Sequence, residues 1–397
     1  MTTIPGETGA EVAQVCERLL RDHPPTRTDP ATFLRAQFDA GLAWIHFPVG
    51  CGGLGLSPTL QREVNERLSA AGAPSAYHRN PIGHGMGAPT LMTHGSDDQR
   101  ERYLRPLFTG EELWCQLFSE PGAGSDVASL STLAQRDGDE WVVNGQKVWT
   151  TLAHLAHFGL LVARTDPGAP KHKGLTYFVL DMASPGVDVR PLRQMTGDAE
   201  FNEVFFDDVR IPDSQRIGEV GDGWRAVLTT LMNERVSIGG AIPEREGGLI
   251  REPLHLWRSR PELHDAVRRD RLVSLWIDAE VLRLTNVRAS QARVMGNPGP
   301  EGSVGKLFSA EHHQAVTDFT VDLLGADGMT YSTYEMSRPE AALHWDCPQK
   351  AFLRMRANSI EGGTTEVMKN ILGERVLGLP GDVRVDKDLP WTSVPRN

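Results

Sequence analysis

Apolar residues recur at two different spacings along the chain, and the spacing changes twice. From about residue 9 to 112 they fall at helical intervals, as in Val12, Val15 and Leu19 and again in Leu34, Phe38 and Leu42, with Pro and Gly breaks between. From about 113 to 218 they alternate: Phe158–Arg164, Leu175–Asp181 and Glu203–Phe206 read as strands joined by loops bearing Pro and Gly. From Gly223 the helical interval returns. Asp222 is placed to cap a helix from Trp224, and a long helix runs from Val267 to Met295, stopped by Gly296-Asn297-Pro298. Further helices cover about 306–323, Arg338–Asn358 and Thr365–Val376, the last ended by Gly378 and Pro380. The pattern predicts an α+β multidomain fold: a helical domain over 1–112, a central antiparallel β domain over 113–220 and a C-terminal helical bundle over 221–397.

Within the alternating region, Gln116–Thr151 carries the densest chemistry. Ser119-Glu-Pro-Gly-Ala-Gly-Ser-Asp126 leaves backbone N–H groups free to converge on a phosphate around Gly124, with the Ser125 hydroxyl as a further donor. Gly145-Gln-Lys-Val-Trp-Thr-Thr151 ends a strand with the Trp149 indole, a stacking face, followed by the Thr150 and Thr151 hydroxyls. Asp137-Gly138 and Asn144-Gly145 are both tight-hairpin signals. A large, flat, phosphorylated cofactor fits these parts. A second glycine cluster, Gly50 to Gly55, spells G-x-G-x-x-G, but no buried strand precedes it and Ser57-Pro58 opens the next helix, so it reads as a structural turn.

Composition narrows the classes. The length of 397 residues exceeds one typical core, and 40% hydrophobic with 23% charged residues is globular. A net charge of -11 argues against a nucleic-acid partner. The four cysteines lack a C-x-x-C pair and suit a reducing cytoplasm. No signal peptide or membrane span is expected. His154 and His157 lie three apart without neighbouring carboxylate or Cys ligands, so no metal site is expected.

The two motifs in Gln116–Thr151 resemble those of the acyl-CoA dehydrogenase family, [ST]-E-P-x-A-G-S-D and G-x-K-x-W-[IT]-T, which hold FAD. The resemblance covers essentially the whole chain and implies helical–β–helical domains. It implies FAD contacts from Gln116, Phe118, Ser119, Gly124, Ser125, Trp149, Thr150, Thr151, Thr364 and Glu366. It also implies an acyl-CoA or acyl-carrier thioester substrate, an electron-transfer-flavoprotein-like acceptor and a homo-oligomer, dimer or tetramer.

The family's commonest base lies in a C-terminal E-G-T-S loop, and here Ser359-Ile-Glu-Gly-Gly-Thr-Thr365 places Gly362 at that position, with Glu361 adjacent. In some branches the base instead precedes an Arg on the first helix of the C-terminal domain. Val227, Leu231, Glu234 and Ile238 share one helical stripe, which sets Glu234 toward the interior as the candidate base. Arg235, Glu361 and Gly362 are candidate substrate contacts. The family's R-x-x-F-G, which reaches a neighbouring subunit's FAD, is not found between Arg251 and Asp278. An unlike partner chain, a non-catalytic subunit of a heteromer and a same-fold flavin monooxygenase or oxidase therefore stay open as alternatives.

Overall fold

A computed structural model of the chain describes residues 5–395 apart from 76, 78, 293–300, 332, 341–346 and 382. The first helices, α1 (Pro5–Asp22), α2 (Pro30–Asp39) and α3 (Leu60–Ala70), bury Val12, Cys16, Phe33, Leu42 and Val64 among themselves. The Asp29 carboxylate accepts from Thr32 N at 3.0 Å to start α2. The glycine cluster between α2 and α3 is a chain-packing turn: a methyl on Gly53 would lie 2.1 Å from Phe47 O. α3 opens at Leu60 rather than at Pro58, because Ser57 to Thr59 are spent in a turn. A π-helical turn, Gly83–Gly87, leads into α4 (Ala88–His94). α5 (Asp97–Thr109) carries a full capping box of Ser96 and Gln99, and continues past Pro106.

The central domain is one eight-stranded sheet. Its strands are β1 (Trp114–Leu117), β2 (Leu133–Asp137), β3 (Glu140–Thr151), β4 (Phe158–Arg164), β5 (Leu175–Asp181), β6 (Val187–Leu192), β7 (Phe201–Pro212) and β8 (Arg216–Ile217). Most pairs are antiparallel, while β4 runs parallel to both β1 and β2. Of the two hairpin signals, Asp137-Gly138 turns β2 into β3 as expected. Asn144-Gly145 does not turn. β3 runs through it to Thr151 with a register shift against β7, and a methyl on Gly145 would meet Thr132 Oγ1 at 2.5 Å. Glycine is required there by the close approach of the 132 backbone and not by a hairpin.

The C-terminal bundle comprises α6 (Gly223–Gly239), α7 (Arg251–Ser259), α8 (Ala266–Ala292), α9 (Glu301–Leu324), α10 (Pro348–Met355) and α11 (Thr365–Arg375). The expected stop at Gly296–Pro298 lies outside the described residues. α7 carries no sequence expectation; Pro253 sits in its first turn, where a missing N–H costs nothing. Of the helix expected over 338–358, residues 338–340 are not helical, because Ser337 is drawn out as a bridge partner of Asp198; 341–346 lie outside the described residues, and Pro348 starts a helix that runs to Met355. α6 docks on the sheet through Ala226 and Val227, which share a buried cluster with Phe118, Leu160, Val162 and Tyr177. The Tyr177 hydroxyl and Thr230 Oγ1 lie 2.9 Å apart, and Thr90 Oγ1 lies 2.8 Å from Thr230 Oγ1, so α4, α6 and β5 meet at one buried hydroxyl cluster. That contact fixes which turn of α6 passes above β1.

Candidate active site

Two strand ends and one helix face define the site. On α6, Val227 is fully buried while Leu228 and Met232 face outward, so the inner stripe continues through Leu231 to Glu234. Glu234 Oε2 accepts from Gln116 Nε2, on β1, at 3.3 Å. Glu234 is half-buried, yet protein surrounds it closely enough for burial to raise its carboxyl above the ordinary range. The Gln116 hydrogen bond opposes that rise, the Glu361 charge adds to it, and Arg235 and Lys306 oppose it. A buried carboxyl pushed upward, with one neutral donor, is the electrostatic profile of a proton acceptor.

The Glu361–Gly363 loop faces this group. Gly362 has φ +64 and Gly363 φ +95, both in the left-handed region. A methyl at Gly362 would lie 2.8 Å from Ile238 Cδ1 and 3.8 Å from Glu234 Oε1. A side chain at 362 would therefore run into Ile238 and come into contact with the Glu234 carboxylate. Glu361 turns elsewhere: Arg354 donates to its two oxygens at 3.1 and 3.0 Å. Arg354 also donates to Glu200 Oε1 at 2.7 Å, and its guanidinium lies 5.4 Å from the Phe201 ring. Burial pulls the Arg354 guanidinium down, but these two carboxylates outweigh it and hold it well above its usual range. Arg235 is half-buried, and burial lowers its guanidinium; its Nε has no hydrogen-bond partner.

On the sheet side, Trp149 adopts φ +60 at the register shift between Lys147 and Thr150, and it is 57% exposed. Bulky residues rarely hold that conformation, and they do so mostly at functional sites. Its ring meets Phe201 edge-on at 6.0 Å, which leaves the opposite face open. Thr150 beneath it is buried and its Oγ1 has no partner; Gln116 Oε1 is likewise buried and unpartnered. Thr151 is half-buried at the strand end. Phe118 is buried edge-on against Tyr177. Ser119 O accepts from Val148 N at 2.9 Å, which joins the two motifs. Gly124 and Ser125 lie exposed in the loop, and methyls on Gly122 or Gly124 would meet nothing within 4 Å. Protein packing thus gives no reason for glycine there, whereas close approach of a ligand does. Thr364 caps α11, its Oγ1 accepting from Val367 N at 3.2 Å, and Glu366 is exposed in the first turn. Orphaned polar atoms at Gln116 and Thr150, an open indole face and an unfilled glycine loop fit a flat, phosphorylated cofactor.

Three structural groups behind the site were not singled out from the sequence. Lys147 and Glu120 form a buried pair at 2.9 Å, and Lys147 Nζ also donates to Phe118 O at 2.9 Å. Burial would raise the Glu120 carboxyl, but Lys147, Thr132 and Ser131 hold it down at about 2. Burial pulls the Lys147 ammonium down, with the Glu120 charge opposing that shift. A Lys at an inward position of an alternating strand was the available signal. Arg354–Glu200 is the second group. The third is Lys306 on α9, only 1% exposed, whose Nζ donates to Gly363 O. His154 Nε2 lies 3.2 Å from Pro339 O, and His157 Nδ1 accepts from Leu113 N at 3.1 Å.

The acyl-CoA dehydrogenase N-terminal, middle and C-terminal domain families match residues 8–111, 115–209 and 221–377. Among curated proteins, the acyl-CoA dehydrogenase FadE34 of Mycobacterium tuberculosis is 42% identical over 86% of this chain, which spans only 45% of that protein. The acyl-CoA dehydrogenase IpdE1 of the same organism is 39% identical over 87% of this chain and 86% of its own length. Among solved structures, the Tcur3481-Tcur3483 steroid ACAD superposes with a TM-score of 0.73 at 26% identity, covering 96% of this chain and all (100%) of that one. The ChsE4-ChsE5 complex from Mycobacterium tuberculosis gives 0.71 at 26%, covering 96% and 100%. With all three domains matched in order, the chain belongs to the acyl-CoA dehydrogenase family of FAD-dependent oxidoreductases.

Proposed function

We propose that this chain removes hydrogen across the Cα–Cβ bond of an acyl-CoA or acyl-carrier thioester, with Glu234 as the base. The observation that carries the reading is the position of Glu234: half-buried, with its carboxyl raised by burial, hydrogen-bonded by Gln116 and beside Gly362, whose missing side chain leaves the carboxylate room. The α C–H is a weak acid, so its removal needs a base with a raised pKa and exclusion of water. Glu234 supplies the first, and the apolar packing of α6 on the sheet supports the second. The α proton passes to Glu234, a C=C bond forms, and the β hydrogen leaves with its electron pair. FAD, when bound, accepts that hydride.

The residues proposed to hold FAD are Gln116, Phe118, Ser119, Trp149, Thr150 and Thr151 around its ring, Gly124 and Ser125 at its phosphates, and Thr364 and Glu366 from α11. Arg235, with an unpartnered buried Nε, is the proposed substrate-side donor. Glu361 is proposed to act through Arg354 and not as a base. The proposed division into domains falls near residues 112 and 220. The proposed electron acceptor resembles an electron-transfer flavoprotein.

A second reading concerns assembly. No R-x-x-F-G occurs between Arg251 and Asp278, and the names of two similar solved structures each join two chains. Both observations support a heteromer in which a partner chain completes the cofactor site, over a homotetramer. Anaerobic mixing of the purified protein with a panel of acyl-CoA thioesters tests the main reading. Bleaching of the flavin by one of them, abolished in Glu234→Gln with unchanged FAD content, is the expected result. Full bleaching in Glu234→Gln overturns the base assignment, and a chain that takes up FAD only with a partner supports the second reading.

A further inference from the structure

Lys306 has no role in the chemistry described above, yet it is the ammonium group that flanks the base. It sits where α9 crosses the end of α6; a methyl on Gly239 would lie 2.7 Å from Lys306 Cα, so the two backbones touch. Its side chain is 1% exposed, and a buried ammonium is costly unless paired or used. Nζ donates to Gly363 O. A methyl at Gly362 would meet Ile238 Cδ1 at 2.8 Å, Lys306 Cε at 3.6 Å and Glu234 Oε1 at 3.8 Å, so cation and carboxylate approach Gly362 from α9 and α6.

The other charges around this point are accounted for. Glu361, paired to an Arg354 that Glu200 shares, still acts on both Glu234 and Lys306, and is the strongest charge on Lys306. Arg235 acts on both Glu234 and Lys306 and feels Arg375 from α11, while Glu366 acts on Lys306 from the first turn of α11. Gln116 and, further off, the Tyr177 hydroxyl complete the surroundings of Glu234 from β1 and β5. Lys306 is therefore the α9 cation that acts on Glu234 while also holding the loop opposite it.

We propose that Lys306 is a positioning residue for the base: it ties the Gly362–Gly363 turn to α9 and supports the ionised Glu234 carboxylate from the other side of that turn. The ionised form is the one that can accept a proton, so the ammonium keeps the base competent in a site whose burial works against it. This inference rests on Glu234 being the base.

The test compares Lys306→Met and Lys306→Arg with the unaltered flavoprotein. The acid limb of the kcat/KM profile with a bleaching acyl-CoA should move about one pH unit upward in Lys306→Met, from Coulomb attraction across a partly buried gap. Lys306→Arg, which keeps the charge, should restore most of it. An infrared titration of the Glu234 carboxyl, isolated by subtracting the Glu234→Gln spectrum, should show the same upward displacement with no turnover required. An acid limb and infrared titration unmoved in Lys306→Met overturn the proposal. If Lys306→Met does not fold, Lys306→Gln carries the same two readouts. Retained activity in Glu234→Gln would instead overturn the base assignment, which separates the two failures.

Discussion

Replacing Lys147 by Met tests whether the cofactor loop is held from beneath by the buried pair. Glu120 and Lys147 meet at 2.9 Å with side chains 5% and 0% exposed. Removing one member of such a pair strands the other's charge, which costs about 3–5 kcal/mol. The carboxyl itself gives a second measure: Glu120 held at about 2 in place of 4.5 corresponds to about 3 kcal/mol at neutral pH. Ser131 and Thr132 contribute part of that, through donors at 2.7 to 2.9 Å. A double-mutant cycle of Lys147→Met, Glu120→Gln and the pair, read by urea unfolding through tryptophan fluorescence, should give a coupling of about 2–3 kcal/mol. Because the folded carboxyl is depressed, its contribution is complete above about pH 4.5 and is lost as the pH falls toward 2. A coupling near 0.5 kcal/mol, the size found for exposed pairs, or one that grows on acidification, would refute the reasoning.

Trp149→Gly removes a strained φ of +60, worth about 1–2 kcal/mol, against the loss of one edge contact with Phe201; thermal stability should hold or rise while FAD affinity, followed by flavin fluorescence, falls. Gly362→Ala forces an L residue to φ +64 beside Ile238 and Glu234, so differential scanning calorimetry should show a loss of about 1–2 kcal/mol. Glu234→Gln should be more stable than the unaltered protein at neutral pH. The folded Glu234 carboxyl is raised, so the native state binds the proton more tightly than the unfolded one. Its stability then falls as pH rises out of the ordinary carboxylate range, and an amide escapes that loss. Unfolding midpoints that stay parallel for the two proteins from pH 4 to 9 would contradict this.

Much of this architecture is legible in the sequence because it is local. Helical spacing places Val227 and Glu234 on one inner stripe of α6, and the hydroxyl and glycine content of 119–126 marks an open loop. What the sequence does not display is long-range. Asn144-Gly145 carries a turn dipeptide, yet its glycine answers the approach of Thr132, a contact visible only once β2 and β3 pair. Lys147, Arg354 and Lys306 read as ordinary surface charges until their partners Glu120, Glu200 and Gly363 arrive from far along the chain. The convergence of positions 234 and 362 on one point is equally hidden, since the two are separated by most of the bundle.

Arg354 decides by wiring what nearness alone would leave ambiguous. Two acids, Glu234 and Glu361, stand at the same cleft; helical spacing favours Glu234, and the folded chain adds a second ground for that choice. The guanidinium engages both oxygens of Glu361 and anchors that acid to the sheet through Glu200. The acid left without such a clamp is free to exchange a proton. On the proposed assignment, Arg354 favours Glu234 as the working acid without itself touching the substrate, and a change at 354 or 200 should unsettle which carboxylate the cleft employs.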